Sequence, residues 1–259
     1  MKQPARRGVI NALAWLGLAL LTASFIVLVL EQPRRMPTSA VPQRPSEPFA
    51  VVVIDPGHGG ADSGAMAGNI LEKDLTLDIA HRVERLLSQH GVATLMTRVG
   101  DSYVALADRA ALANRAEDAV FVSIHCNDGS RALASGVETY FAAEQSTPRA
   151  RLASWLPFLQ PVSQPEPNVE SQSLAAFIQQ ALVGQTHAID RGTKAEQFYV
   201  LANVRHPAVL VEAGFLTNRD EANKLSDVNY REEIAQAISS GVLKYRDALR
   251  ADQSVQHAE

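Results

Sequence analysis

Three residues able to bind a metal or carry a proton stand at the ends of apolar runs that read as buried strands. His58 lies four residues past Ile54 in the run from Val51, His125 directly follows Ile124 in the run from Ala119, and Glu212 directly follows Val211 in the run from Ala208. In open α/β sheets ligands gather beyond the carboxyl ends of the strands, and crossovers of one hand put those ends on one edge. Glu72, just ahead of a helix predicted from about Asp74, is a fourth such group. Two imidazoles and a carboxylate make the three-ligand set of a catalytic zinc site, which keeps one position open for water. Gly57, Gly59 and Gly60 let the backbone turn tightly and aim His58 inward. Spacing alone leaves plainer readings open. A glycine-flanked histidine serves turns, a histidine ending a strand is often a satisfied polar group, Glu72 suits a helix N-terminus, and Glu212 suits a salt bridge or a cap.

The elements that must position these groups are legible from periodicity. Leu75, Ile79, Val83, Leu86 and Leu87 recur at helical spacing between Asp74 and His90, with Gly91 as the stop. A short strand from Val92 to Thr97 follows, then a small-residue helix over Leu106 to Arg115. Gly136 to Phe141 alternates as a strand, Ser171 to Val183 reads as a helix, and Phe198 to Leu201 reads as a β run. Asn218 and Glu221 have capping-box spacing, and Tyr230 to Leu249 makes a long closing helix. Strands alternating with helices predict an α/β fold: a single twisted, mostly parallel sheet flanked by helices.

Several motifs occur together in order: Asp55-Pro56-Gly57-His58-Gly59-Gly60, Glu72-Lys73-Asp74, Thr97-Arg98, Ser123-Ile124-His125-Cys126-Asn127, and Val211 through Asn218. The chain from about residue 50 to 247 thereby resembles the zinc-dependent N-acetylmuramoyl-L-alanine amidases, the cell-wall amidases of the amidase-3 type. The resemblance implies that His58, Glu72 and His125 bind Zn2+ and that Glu212 is the catalytic glutamate. It implies peptidoglycan as substrate, cut at the amide between N-acetylmuramic acid and L-alanine. Asn127 is a candidate to orient His125 or bind substrate, with a turn role equally open. Cys126 departs from the small residue more usual there, and reads as a buried inert thiol. Arg98 and Arg109 read as structural partners of carboxylates; His81, His90, His187, His206 and His257 read as surface residues. Two other functions stay open: a catalytically silent wall-binding scaffold, and a zinc peptidase acting on stem peptides.

Composition bounds the partners. The 259 residues are 46% hydrophobic with a net charge of −4, which predicts a packed core and no nucleic-acid partner. One cysteine excludes an intramolecular disulfide. Val9 to Leu30 carries no charge and as a helix would span about 33 Å, enough to cross a bilayer. Lys2, Arg6 and Arg7 precede it, and no small-residue cleavage site follows, so residues 1–31 read as a cytoplasmic stub and uncleaved anchor. Residues 32–48 hold five prolines and read as a tether. Residues 49–250 then form the catalytic domain beyond the inner membrane, on the periplasmic or wall side, with a tail at 251–259. Within the domain, 143–170 is long for a loop and carries Leu152, Trp155, Leu156 and Leu159 at helical spacing. The resemblance implies that it could be a lid moved by a protein activator; a glycan or partner contact and an ordinary surface helix stay open beside that. Glu144, Glu166 and Glu170 are its candidate inhibitory ligands.

Overall fold

A computed structural model describes Trp15 and residues 47–128, 133–145 and 168–256. The chain divides into residues 1–46 and 47–259, a boundary two residues ahead of the predicted domain start. The expected anchor at 9–30 apart from Trp15, the tether at 32–48 apart from its last two residues, and most of the 143–170 segment lie outside the described residues. Among those described, no helix is long and apolar enough to cross a membrane.

The second unit is built on one six-stranded sheet. Its strands are β1 (Val51–Pro56), β4 (Ala93–Met96), β5 (Ala119–Asn127), β6 (Val137–Phe141), β7 (Asp190–Ala195) and β8 (Ala208–Phe215), in the order β4-β1-β5-β8-β6-β7. The first four run parallel, β6 is antiparallel to β8, and β7 is parallel to β6. This is the mostly parallel α/β sheet the alternating pattern predicted. A separate hairpin pairs β2 (Met66–Ala67) with β3 (Ile70–Leu71).

The helices are α1 (Glu72–Gln89), α2 (Leu106–Ala113), α3 (Val169–Thr186), α4 (Tyr199–Ala202), α5 (Arg219–Ser226) and α6 (Val228–Gln256). They divide unequally between the faces of the sheet. One face carries Val52, Ile54, Val122, Ile124, Val209 and Val211, packed against Ile79, Val83 and Leu87 of α1, Leu174, Ile178 and Leu182 of α3, and Ile238, Val242 and Tyr245 of α6. The other carries Val53, Phe121 and Leu210, under Ala110 and Ala113 of α2 and Val200 and Leu201 of α4. Side chains alternate along a strand, so two residues further on this second face come Asp55, Ser123 and Glu212, and then His125. The site groups thus extend the thinly covered face toward the strands' carboxyl ends.

Four departures from the sequence reading have physical causes. Phe198 to Leu201 is not a strand: Phe198 is extended, and the chain then closes one helical turn whose Val200 and Leu201 point into the second core. Strand β7, DRGTKA, escaped notice because it is a half-exposed edge strand with almost no apolar pattern. Strands β5 and β8 run on through His125 and Glu212, so these residues sit inside the ladder rather than just past it. Helix α6 continues to Gln256, through most of the predicted tail. The Asn218 cap is present, accepting from the backbone N–H of Asp220 and Glu221. The Glu221 carboxylate, however, turns to the backbone N–H of Gly136 and Phe215, tying the start of β6 to the end of β8.

Helix α3 packs on α6 at Gly241, where an added Cβ would lie 2.6 Å from Ile178 Cα. Gly184, exposed on α3, has nothing within 4 Å of such a Cβ. Overpacking costs about 1–3 kcal/mol, whereas replacing a helical glycine by alanine gains up to about 1 kcal/mol. Gly241→Val is therefore expected to lower the unfolding free energy by about 2–3 kcal/mol and Gly184→Ala to raise it slightly. Urea titrations of the two variants check both signs.

Candidate active site

The site is organised by a carboxylate that the fold takes out of water. Glu72 opens α1 and is only 3% exposed. Its Oε2 accepts from the Ala65 N–H at 2.8 Å, and its Oε1 accepts from the Cys126 N–H at 2.9 Å. The same Oε1 lies 3.1 Å from His58 Nε2 and 3.0 Å from His125 Nδ1. One donor atom from each of His58, Glu72 and His125 falls within 4.8 Å of the others. The imidazole rings meet edge to face with centroids 4.9 Å apart. On the far side of His58, Nδ1 sits 2.9 Å from Asp62 Oδ2, which favours the tautomer with the proton on Nδ1 and a free lone pair on Nε2.

Two buried arginines hold this arrangement from behind. His58 adopts φ 60, a left-handed conformation costing a non-glycine residue roughly 1–2 kcal/mol. Arg109 Nη2 donates to the His58 carbonyl at 2.7 Å, while its Nη1 donates to Asp55 Oδ1 and the Pro56 carbonyl. Arg98 Nη2 bridges the carbonyls of Gly57 and Lys73, each at 2.8 Å, joining the His58 loop to the first turn of α1. Arg109 meets a carboxylate, as the sequence suggested, but both side chains serve mainly to clamp the loop. Side chains are excluded where the donors converge: a Cβ on Gly57 would lie 2.4 Å from the His125 ring, and one on Gly64 would lie 2.5 Å from Glu72 Oε2.

Electrostatics follow from these contacts. Burial pushes the Glu72 pKa up, but the hydrogen bonds and charge of His125 and His58 outweigh it and hold the carboxyl well below its usual range. Burial pulls His58 down, and Glu72 and Asp62 more than reverse that, leaving it raised. A buried carboxylate needs compensating positive charge. Two imidazoles and a carboxylate converging around a glycine-cleared space are a donor set that a divalent cation fits.

Glu212 stands beside this cluster. It is the register partner of His125 on one side and of Glu138 on the other. Its Oε2 is shielded from solvent and makes no hydrogen bond among the described residues. Burial, and then the charges of Glu72 and Glu138, raise its pKa well above the usual carboxylate value. A carboxyl with raised proton affinity beside a donor cluster is suited to take and return a proton.

The remaining expected residues fall elsewhere. Asn127 neither orients His125 nor forms a turn; it ends β5, and its Nδ2 donates to Glu138 Oε1 at 2.7 Å. The register of β5 shifts between His125 and Asn127, which re-aims this side chain. Cys126 is fully buried in the helix-covered core, where burial and then the Glu72 charge raise its thiol far above the usual value, in keeping with an inert role. Glu170 lies in the first turn of α3, where its charge acts on Tyr245 in the helix-covered core. Glu144 is exposed beyond β6, so neither joins the donor cluster; Glu166 lies outside the described residues. Glu138 was missed. Its signal was a lone charge inside an alternating apolar stretch, and the structure buries it to 1% exposure.

An α/β sheet with a candidate metal cluster and an adjacent carboxyl of raised pKa has the groups that hydrolytic chemistry uses. Residues 52–244 match the amidase-3 family, N-acetylmuramoyl-L-alanine amidase, and the chain belongs to that family. AmiA of Escherichia coli (strain K12), an N-acetylmuramoyl-L-alanine amidase, is 30% identical over 269 residues, covering 93% of this chain and 91% of AmiA. The crystal structure of the amidase from Clostridium difficile 630 is 35% identical with TM-score 0.64, covering 77% of this chain and 97% of that one. The CwlD amidase of Clostridioides difficile, solved in complex with the GerS lipoprotein, is 27% identical with TM-score 0.65, covering 77% and 99%. The protein is thus a peptidoglycan amidase, a hydrolase of the cell wall.

The shifted pKa values set the pH response of the metal-free protein. His58 is raised above 6.5, so its contribution to stability is complete below that value and is lost as pH rises through the raised folded value. Glu72 is depressed below 4.5, so its contribution is lost only as pH falls through the depressed value. With chelator present, the thermal midpoint is expected to fall as pH rises above about 6.5. A bound divalent cation, competing with protons for the imidazoles, should reverse that slope. Thermal unfolding between pH 6 and 9, with chelator and with added metal, measures both.

Proposed function

We propose that this amidase is zinc-dependent, with His58, Glu72 and His125 as the ligands and Glu212 as the catalytic carboxylate. The observation that carries the reading is the convergence of three donors beside a shielded carboxyl oxygen that has no partner among the described residues. The bond cut is the amide joining the lactyl group of N-acetylmuramic acid to L-alanine of the stem peptide. When bound, zinc supplies Lewis acidity. Glu212, ionised, accepts a proton from the attacking water at Oε2 as hydroxide adds to the amide carbon. It then delivers that proton to the L-alanine nitrogen as the C–N bond breaks, so one water is consumed and the carboxyl is restored for the next cycle. Asp62 keeps the His58 Nδ1 proton in place, and Arg98 and Arg109 keep the loop from relaxing away. Asn127 gives one Nδ2 hydrogen to Glu138, leaving its second N–H and Oδ1 to contact substrate.

The same reading places the catalytic domain outside the cytoplasm. Residues 9–30 are its single-pass anchor in the inner membrane and 32–48 the tether, supported by the charge-free run and the five prolines. The segment 143–170 is closed at its base, where Asn168 Nδ2 donates to the Ala142 carbonyl at 2.9 Å, and is a candidate lid. A lipoprotein complex of a family member supports a protein activator.

Purified protein acting on sacculi should release intact peptides beginning with L-alanine and leave muramyl glycan free of them, as read by mass spectrometry. Glu212→Gln should retain stoichiometric zinc and lose turnover by about 10²–10⁴-fold, whereas His125→Ala should lose both. Full activity in Glu212→Gln, or shortened peptides still attached to glycan, would overturn the assignment.

A further inference from the structure

The thinly covered face holds a second charged cluster that the steps above do not use. Glu138 Oε1 accepts from Asn127 Nδ2 and from the Tyr140 hydroxyl at 2.6 Å. Its Oε2 is shared by two cations, Arg191 Nε at 2.8 Å and Lys194 Nζ. Among the described residues, Glu138 is the sole carboxylate partner of both. One carboxylate facing two full positive charges leaves one of them uncompensated. Glu138 is sealed, but the side chains of Arg191 and Lys194 are 34% and 38% exposed, so the surplus charge faces solvent. Each cation is also steadied by a ring: Arg191 lies over Phe215 at 4.7 Å and Lys194 over Tyr140 at 5.6 Å. With Nε held by Glu138, the two terminal nitrogens of Arg191 remain a fork of the geometry that grips a carboxylate.

The placement matters as much as the charge. Glu138 pairs directly with Glu212, and side chains of paired residues share a face at about 5 Å spacing. The cationic groups gather on Glu138, one strand away from the residue that protonates the departing nitrogen. That is the reach of about one to two residues of extended peptide at about 3.3 Å each. We propose that Arg191 and Lys194 are specificity residues that bind a free carboxylate on the leaving peptide, carried by the residue that follows L-alanine. This rests on the amidase reading of the neighbouring site and names the part of the substrate that the open face selects. Glu138 is then a positioning residue: it fixes both cations and is itself too buried to meet the ligand.

The test uses the full-length protein loaded with zinc and two synthetic muramyl dipeptides. They differ only in whether the carboxylate of the second residue is free or amidated. Wild type is expected to favour the free acid by about 10–100-fold in kcat/KM, mostly through KM, as fits a charge-assisted hydrogen-bonding pair. Arg191→Gln and Lys194→Met should each shrink that ratio, and together bring it to about 1, while Arg191→Lys and Lys194→Arg should restore part of it. Equal rates on both substrates in wild type would overturn the inference while leaving the amidase reading intact. So would variants that slow both substrates in proportion and leave the ratio unchanged, because the cations would then only brace Glu138. Cleavage of neither substrate would sink the amidase reading, and this inference with it.

Discussion

The structure depends on keeping one carboxylate ionised inside the fold. Glu72, 3% exposed, has its two oxygens divided among two backbone N–H groups and two imidazoles. Isolated burial of that charge would cost several kcal/mol, so each partner must be delivered to within about 3 Å. That requirement explains the expensive features around it. His58 tolerates left-handed backbone because Arg109 holds its carbonyl. Gly57 and Gly64 are clear of side chain because any Cβ would strike His125 or Glu72. Arg98 spends its guanidinium on backbone carbonyls that join the loop to α1. The donor cluster is a consequence of satisfying a buried anion, and a metal ion would complete that task.

The sheet then assigns stability and chemistry to different faces. Three long helices close one face with a dry aliphatic layer, while α2 and the single turn of α4 cover only the start of the other. Because side chains alternate, the strands that anchor the core with Val122 and Val211 on one side present Ser123 and Glu212 on the other. Pairing in register brings His125, Glu212 and Glu138 into one row across three strands. Precision for His125, Glu212 and Glu138 is thus inherited from the hydrogen-bonded ladder, whereas His58 depends on the loop that Arg98 and Arg109 clamp.

Much of this was legible in the sequence, and the failures have a common cause. The parallel strands, α1 and the long closing helix declare themselves because apolar periodicity reports burial. The His58, Glu72 and His125 cluster was legible through ordered motifs, since spacing over so long a stretch does not select it. Strand β7 was not legible, because an edge strand needs only one partner and little apolar surface. The Phe198 to Leu201 run misled because four apolar residues fit a short buried helix as well as a strand. The two arginine clamps and the Glu138 hub share a further difficulty. Their roles lie in contacts that reach as far as 56 residues along the chain, and a charged residue carries no local mark of the partner that lets it be buried.

Glu138 and Glu212 show why adjacent carboxylates need separate environments. They face each other across β6 and β8, and burial raises both. For Glu138, the hydrogen bonds from Lys194, Tyr140 and Arg191 outweigh burial and carry its pKa below the usual value. Glu212 has no such donors among the described residues, and the charges of Glu72 and Glu138 add to burial in raising it. One carboxylate is thereby held as a permanent anion and its neighbour made ready to exchange a proton, a division set by hydrogen-bond donors and not by residue type. The negative charge held on Glu138 adds to the proton affinity of Glu212.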